Sequence, residues 1–389
     1  MLTTAKNPRV LDLFCGAGGL SEGFQQAGYD VVAGLDFDPI ALESFSHSHP
    51  TAQTFCGDIR EISSSAFQEL GEIDVLIGGP SCQGFSTQGK RIAEDPRNFL
   101  FREFMRVAHD LRPTWVVIEN VKGLLWYDKG AFRQRIHEAL EELGYRVESK
   151  LLLAANYGVP QLRERIFFIA TRTDAPIVFP VETHGPGREQ PWVTVRDAIG
   201  DLPSLGVSGG EGSMLYPSPP LSDYQALMRD QSSFLTLHKA RSVSAPALSI
   251  IRRIPQGQGV RYLPEDELPD RFRKMRTIST GKLRKDATTL YHRLAWDKPS
   301  YTITCYFTNV SAGPFVHPVD DRALSPREAA RLQSFSDAYS FSPSAIPRQI
   351  GNAVPPLLAK AVANTILAVM RGEEVGTPAR DELRQLALL

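Results

Sequence analysis

Short β-branched runs alternating with amphipathic helical patterns constrain this chain more than any other feature. Val10–Phe14, Val31–Asp36, Asp74–Gly78, Thr114–Glu119 and Arg165–Ala170 carry the strand pattern, and Ser21–Ala27, Pro39–His47, Phe99–Leu111 and Phe132–Leu143 carry the helical one. Strands that alternate with helices in this way predict a doubly wound, Rossmann-like α/β sheet, in which ligands bind outside the carboxyl ends of the strands. The residues just after each apolar run are therefore the ones to read for function.

After about Phe179 the alternation stops. Pro180, Gly185, Pro186, Gly187 and Pro191 are followed by a glycine-rich stretch at 206–212 and a proline-rich one at 217–220. The expected organisation is a catalytic and cofactor-binding domain over 1–180, then a smaller, irregular, strand- and loop-rich domain over 181–320. A return segment over 321–375 completes the first domain, with helices at Pro326–Phe335 and Pro356–Met370, and 376–389 forms a tail. A length of 389 residues with 42% hydrophobic content suits two lobes, because single cores stop growing near roughly 250–300 residues.

Other bulk features exclude more than they assign. Apolar runs of about 18 residues are absent and Met1 to Arg9 lack a secretory pattern, so a cytoplasmic protein is expected. The four cysteines, Cys15, Cys56, Cys82 and Cys305, have no zinc-ligand spacing, and neither a metal nor a disulfide framework is expected. Cys15, Cys56 and Cys305 read as structural thiols. A net charge of −1 gives no sign of a polyanionic partner, yet the segment Arg271 to Lys285 holds seven basic residues and no acidic one, and in isolation reads as a solvated loop.

The chemistry-bearing residues cluster at the predicted strand ends. Phe14, Gly16, Gly18, Gly19 and Leu20 form a glycine-rich strand-to-helix turn that lets a ligand approach the backbone; alone, it fits a nucleotide site or a tight turn equally. Asp36 ends the next strand, where a carboxylate can take a ribose diol, with Phe37 beside it to face an adenine ring. Asp58 adds a third carboxylate at this edge; Asp36 and Asp58 also fit helix-cap or loop roles. Cys82 lies in the loop Gly78 to Ser86 after the strand Asp74–Ile77, where a thiolate can act as a nucleophile. Glu119 ends a neighbouring apolar strand as a candidate acid or base. Gln161, Arg163 and Arg165 share one face of an extended segment, which can bind phosphates or a base edge or can be a solvated strand edge.

Taken in order, these segments resemble the DNA (cytosine-5)-methyltransferases of bacterial restriction-modification type. The resemblance rests on DLFCGAGGLSEGF (Asp12–Phe24), Asp36-Phe37, Gly57-Asp58-Ile59, GPSCQGFS (Gly79–Ser86), Glu119-Asn120-Val121, QLRER (Gln161–Arg165), REAARLQ (Arg327–Gln333) and GNAVP (Gly351–Pro355), and it spans most of the chain. It implies transfer of a methyl group from S-adenosyl-L-methionine, leaving S-adenosyl-L-homocysteine, to C5 of a cytosine flipped out of double-stranded DNA. In that scheme Cys82 adds to C6, Glu119 bonds N3 and the exocyclic amine, Arg163 and Arg165 orient the base and its phosphate, and Pro80 shapes the pocket wall. Phe14, Gly16, Gly18, Gly19 and Leu20 surround the methionine moiety, Asp36 takes the ribose, Phe37 and Ile59 sandwich the adenine, and Asp58 lies near its amino group. Leu100, Asn352 and Val354 match further cofactor positions, and the last helix is expected to rejoin the first domain. Gln83, Ser86, Lys90, Arg91, Gln161 and Thr302 match positions that meet DNA, and Arg271 to Lys285 falls in the variable target-recognition region.

The recognition region is longer than compact family members need. A cognate restriction endonuclease acting on the same site and monomeric action are further expectations from the resemblance. Two other readings stay open on the sequence: a tRNA cytosine-5 methyltransferase with the same catalytic set, and a catalytically inactive DNA-binding relative.

Overall fold

The computed structural model describes residues 6–80, 98–126, 130–230, 232–268, 272, 289–373 and 375. The chain divides into two compact units, one made of 1–157, 164–190 and 356–389, the other of 158–163 and 191–355.

The first unit begins β1 (Arg9–Leu13), α1 (Gly19–Gln26), β2 (Asp30–Asp36), α2 (Pro39–Ser48), β3 (Gln53–Cys56), α3 (Ser64–Gln68), β4 (Val75–Gly78), α4 (Asn98–Leu111), β5 (Trp115–Val121), α5 (Ala131–Glu142) and β6 (Arg146–Leu153). The chain then enters the second unit through β7 (Gln161–Leu162) and comes back as β8 (Glu164–Thr171). Seven strands form one sheet in the order β3-β2-β1-β4-β5-β8-β6, with β8 antiparallel to both of its neighbours and β1 to β5 parallel. The strand order reverses beside β1, so the turns after β1, β2 and β4 converge on one crevice at the sheet's carboxyl edge.

Burial explains why the central strands read as continuous apolar runs. Val10, Leu11 and Leu13 of β1, and Val75 to Ile77 of β4, are wholly buried between helices. Where helices and strands approach closely, glycine is required: a methyl group on Gly34 would stand 2.4 Å from the Phe45 ring of α2. The expected strands and helices of the first 180 residues are all present within a residue or two at their ends, while the helix expected at Pro326–Phe335 stops three residues early, at Leu332. The edge strands β3 and β6 were not expected as elements, since their partly exposed residues lack the apolar run of the centre.

The second unit contains α6 (Val195–Ile199), β9 (Ser213–Leu215), α7 (Asp223–Arg229), β10 (Phe234–Thr236), α8 (Ala245–Ile251), β11 (Ser300–Tyr301), α9 (Pro326–Leu332) and α10 (Ile346–Asn352). Its strands are two or three residues long, β9 pairing with β10 and β11 with β7. Thr194 with Asp197 and Ser325 with Glu328 form capping boxes that start α6 and α9. Much of its interior is ionic. Arg331, fully buried, reaches Asp201 and Asp337 at 2.6 Å each, and Arg322 reaches Glu328 at 2.7 Å and Asp320 at 3.0 Å. These partners hold α9 inside the second unit, so the return to the first unit begins at Pro356, later than the position 321 expected from the helical pattern alone.

The final helix, α11 (Pro356–Met370), packs on α1 in the first unit. Among the described residues, Ile346–Met370 is the one stretch with the length and composition to cross a membrane. It is interrupted between α10 and α11 at Ala353 to Pro355, and Leu358, Ala359, Val362 and Ala363 are completely buried, as in a core helix.

Candidate active site

In the first unit, the turn from β1 to α1 is built on left-handed backbone: Phe14 has φ 63°, Gly16 54° and Gly18 88°. A phenylalanine in that region is strained, and such residues persist where surrounding contacts over-determine them, often at ligand sites. The contacts here converge on Asp36. Its Oδ2 accepts from the Gly16 N–H at 2.8 Å, its Oδ1 from the Asp38 N–H at 2.9 Å, and its backbone carbonyl from the Gly57 N–H at 3.1 Å. One buried aspartate thus ties together the turns after β1, β2 and β3. Burial raises its pKa, against the pull of those two backbone donors.

Around Asp36 the remaining positions differ sharply. Phe37 is 76% exposed, whereas Ile59 is buried in the core of the unit. Asp58 is paired with Arg60, whose side-chain hydrogen bonds hold its pKa down at about 2. Leu20 is buried at the start of α1 and Leu100, on α4, packs at the margin of the main core. Cys15 is buried in the glycine turn, and burial pushes its thiol pKa up. Cys56, expected to be a buried structural thiol, is exposed instead, because it ends the edge strand β3.

In the sequence Asp12 is marked only by its place at the head of the glycine-rich motif. It is 1% exposed; Ser21 donates to its Oδ2 at 2.6 Å, and its Oδ1 has no hydrogen-bond partner among the described residues. Burial drives its pKa to about 8, with the nearby Asp36 adding to the shift and Ser21 opposing it. Its neighbours on the fold, and not its position in a motif, give it this property.

The end of β4 meets the end of β5. A side chain on Gly78 would strike the Leu13 carbonyl at 2.3 Å, and one on Gly79 would stand 3.2 Å from Glu119 Oε2. Gly78 thus lets β4 pass close to β1, and Gly79 lets the backbone before Pro80 run directly beside the Glu119 carboxylate. Asn120 Nδ2 donates to the Pro80 carbonyl at 3.0 Å, and Asn120 Oδ1 accepts from the Val121 N–H at 2.9 Å. The other Glu119 oxygen, Oε1, is 2.8 Å from Arg165 Nε on β8, in a pair whose side chains are 11% and 13% exposed. Burial lowers the Arg165 pKa and the Glu119 charge opposes that. Arg165 also donates to the Glu164 carbonyl at 2.8 Å, and Glu164 pairs with Lys122. The result is a carboxylate fixed at a strand end by a guanidinium, the arrangement needed to present hydrogen-bonding oxygens to a ligand in one orientation.

Cys82, Gln83, Ser86, Lys90 and Arg91 lie outside the described residues, as does the basic run from Arg271 to Lys285 except for Phe272.

In the second unit, Gln161 and Arg163 do not line an open face. Gln161 is wholly buried and bonds the Leu332 carbonyl, Gln333 Oε1 and the Ile303 N–H at 2.8 to 3.0 Å. Arg163, 1% exposed, donates to the carbonyls of Ile303, Gly351 and Ala353 at 2.9, 3.2 and 3.0 Å. Their acceptors lie 140 or more residues away along the chain, beyond the reach of local pattern. Thr302 donates to the Leu162 carbonyl at 3.0 Å across the β7–β11 pair. Asn352 is exposed at the end of α10, and Val354 is buried.

A doubly wound sheet with a glycine turn, an aspartate and an exposed aromatic at its carboxyl edge places the protein among the α/β folds in which ligands bind at that edge. The chain belongs to the C-5 cytosine-specific DNA methylases, whose family model matches residues 8–368. Relatives include the Type II methyltransferase M.AgeI of Thalassovita gelatinovora, 36% identical over 92% of this chain and 99% of the relative, and the Type II methyltransferase M1.HphI of Haemophilus parahaemolyticus, 36% identical over 93% and 87%. The fold resembles that of the S. pombe Dnmt2 methyltransferase, with a TM-score of 0.57 and 18% identity over 94% of this chain and 99% of that one. A structure encoded within an E. coli prophage matches at a TM-score of 0.73 with 23% identity, covering 94% and 100%. Methyltransferases of this fold generally draw their methyl group from S-adenosylmethionine.

Proposed function

We propose that this methylase modifies a specific duplex DNA sequence in the cytoplasm, as the modification enzyme of a restriction-modification pair, through a covalent Cys82 intermediate. The observation that carries the mechanism is the Glu119–Arg165 pair set against Gly79 and Pro80. It supports a fixed carboxylate beside Gly79 and Pro80, the latter two residues before Cys82 in the sequence.

Cytosine C5 is a weak nucleophile until C6 is attacked. The Cys82 thiolate adds to C6, while Glu119, carrying a proton once the base is bound, donates it to N3 and accepts from the exocyclic amine, which neutralises the negative charge that develops on the ring. Arg165 holds Glu119 in register for this contact. Arg163, committed to the carbonyls of Ile303, Gly351 and Ala353, acts as an internal brace of the second unit and not as a mobile phosphate clamp.

The glycine turn fits S-adenosylmethionine: left-handed backbone at Phe14 and Gly16 brings the chain close to a ligand, and the exposed Phe37 ring beside Asp36 suits an adenine face and a ribose. When bound, that cofactor supplies the electrophilic methyl group that C5 takes up. Asp36 would hold the ribose, Phe37 would cover the adenine, and Asp58 would take the adenine amino group after leaving Arg60. Removal of the C5 proton and release of Cys82 complete the turnover.

Covalent trapping tests this reading. With S-adenosylmethionine and mixed-sequence duplexes containing 5-fluorocytosine, a denaturation-resistant adduct mapping to Cys82 is expected, and Cys82→Ser should form none. An adduct on tRNA but not on DNA would overturn the duplex substrate; no adduct on either, with the cofactor bound, would favour an inactive scaffold.

A further inference from the structure

Arg106 of α4 is a guanidinium that the mechanism above leaves unused. Its Nη2 donates to the carbonyls of Ile59 and Ile62 at 2.9 and 3.1 Å, its Nη1 donates to Ser64 Oγ at 2.6 Å, and its Nε donates to Glu103 Oε2 at 2.7 Å. Two of these four bonds go to the short segment between β3 and α3, and a third to Ser64, the first residue of α3. That segment has little structure of its own: the Arg60 and Glu61 N–H groups turn back onto Asp58, and the Ile62 N–H reaches the Ile59 carbonyl only at 3.4 Å. Ile59 is anchored in the core and the Gly57 N–H bonds the Asp36 carbonyl, while the carbonyls of Ile59 and Ile62 are both held by the one Arg106 side chain. Arg is suited to this because its planar fork satisfies several carbonyls at once, which a lysine ammonium on a flexible stem does not.

We propose that Arg106 is a positioning residue for the cofactor, fixing Asp58 and the Ile59 backbone against the Asp36–Phe37 strand end. The inference rests on reading this edge as the cofactor site. Asp36 links the turns after β1, β2 and β3 through backbone donors; Arg106 supplies the matching restraint on the far side of Asp58, from the helix that also carries Leu100. Without it, the segment from Asp58 to Ser64 samples positions in which the adenine contacts do not form together, and each binding event must order them first.

The test uses full-length Arg106→Ala, Arg106→Lys, Arg9→Ala and Asp36→Ala proteins, with S-adenosylhomocysteine titrated calorimetrically in the absence of DNA. Arg9 is the control, since it braces the same unit through the Leu70 carbonyl at 2.6 Å, at the opposite end of β1 from the glycine turn. Arg106→Ala is expected to weaken binding about tenfold, the worth of one or two charge-assisted hydrogen bonds, and to raise the cofactor KM in step while kcat at saturation is kept. Arg106→Lys should fall between it and the wild type, and Arg9→Ala should bind normally even if it melts earlier. Wild-type binding by Arg106→Ala alongside weakened binding by Asp36→Ala would overturn the role of Arg106 and leave the pocket standing. Normal binding by both would remove the pocket reading and this inference with it. Should Arg106→Ala fail to fold, wild-type affinity in Arg106→Lys overturns the proposal.

Discussion

A single carboxylate can be made an instrument or a liability by its surroundings, and Glu119 and Asp12 show the two cases in one unit. Glu119 keeps a guanidinium at 2.8 Å, so its charge is balanced inside the fold. Glu119→Gln should therefore do double damage. Methyl incorporation is expected to fall by about two orders of magnitude or more, the usual scale for an acid-base group, and thermal stability to fall by about 1–3 kcal/mol because Arg165 is left without its counter-charge. Stable protein with wild-type turnover would remove Glu119 from the mechanism. Among the described residues no cation pairs with Asp12, and burial lifts its pKa from 3.8 to about 8. The native state then holds a proton that the unfolded chain releases, so stability is lost as pH rises from about 4 to about 8 and is level above that. Asp12→Asn can still accept from Ser21 and carries no such dependence. Urea midpoints of the two proteins should diverge between pH 5 and pH 8, with the wild type losing ground; parallel curves would show that Asp12 is ionised throughout.

Among the elements, α1 is held from both sides, by β1 at its start and by α11 along its length. A methyl group on Gly23 would lie 2.4 Å from Ala359 Cβ and 2.5 Å from the Pro356 carbonyl. Gly23→Ala adds roughly 1 kcal/mol of helix propensity but forces a backbone shift costing about 1–3 kcal/mol, so the clash is expected to win and the melting temperature to drop by several degrees. An unchanged melt would mean that α11 can slide outward freely. The elements also show what a linear reading reaches. Central strands and their helices were legible because burial on two faces writes itself as uninterrupted apolar residues, as in Val75 to Ile77. The sequence RVESKLLL of β6 mixes charge into a strand, and IPRQIGN of α10 starts from a left-handed Ala345 with no side-chain cap, so neither announces itself. The edge proposed for the cofactor was legible for the same reason as the sheet, since Asp36 follows directly from a buried run. Arg163 was not: its three acceptor carbonyls are brought to it by Ile303, Gly351 and Ala353.

On the scale of the whole chain, the two units are interleaved in sequence, since the first is assembled from three pieces and the second from two. The second nonetheless has resources of its own: an apolar core around Ile251, Val260, Phe272 and Val316, and the buried ionic set centred on Arg331. Residues 191–355 should therefore be transferable as a block, with one condition. The six residues 158–163 belong to the same unit, pair as β7 with β11, and seat Gln161 and Arg163 among its carbonyls. Replacing 191–355 with the matching stretch of a relative is expected to give a less stable protein than replacing 158–163 along with it, as read by thermal melting; equal melting temperatures would show that the strap is generic. That strap also has a meaning for inheritance. A gene in which one domain is a simple insertion can acquire a new specificity by a single recombination tract, whereas here a short upstream patch, separated by the codons of β8, must either be compatible already or be exchanged too. Lineages that share the strap are then free to trade what lies beyond it, and lineages that differ there are not.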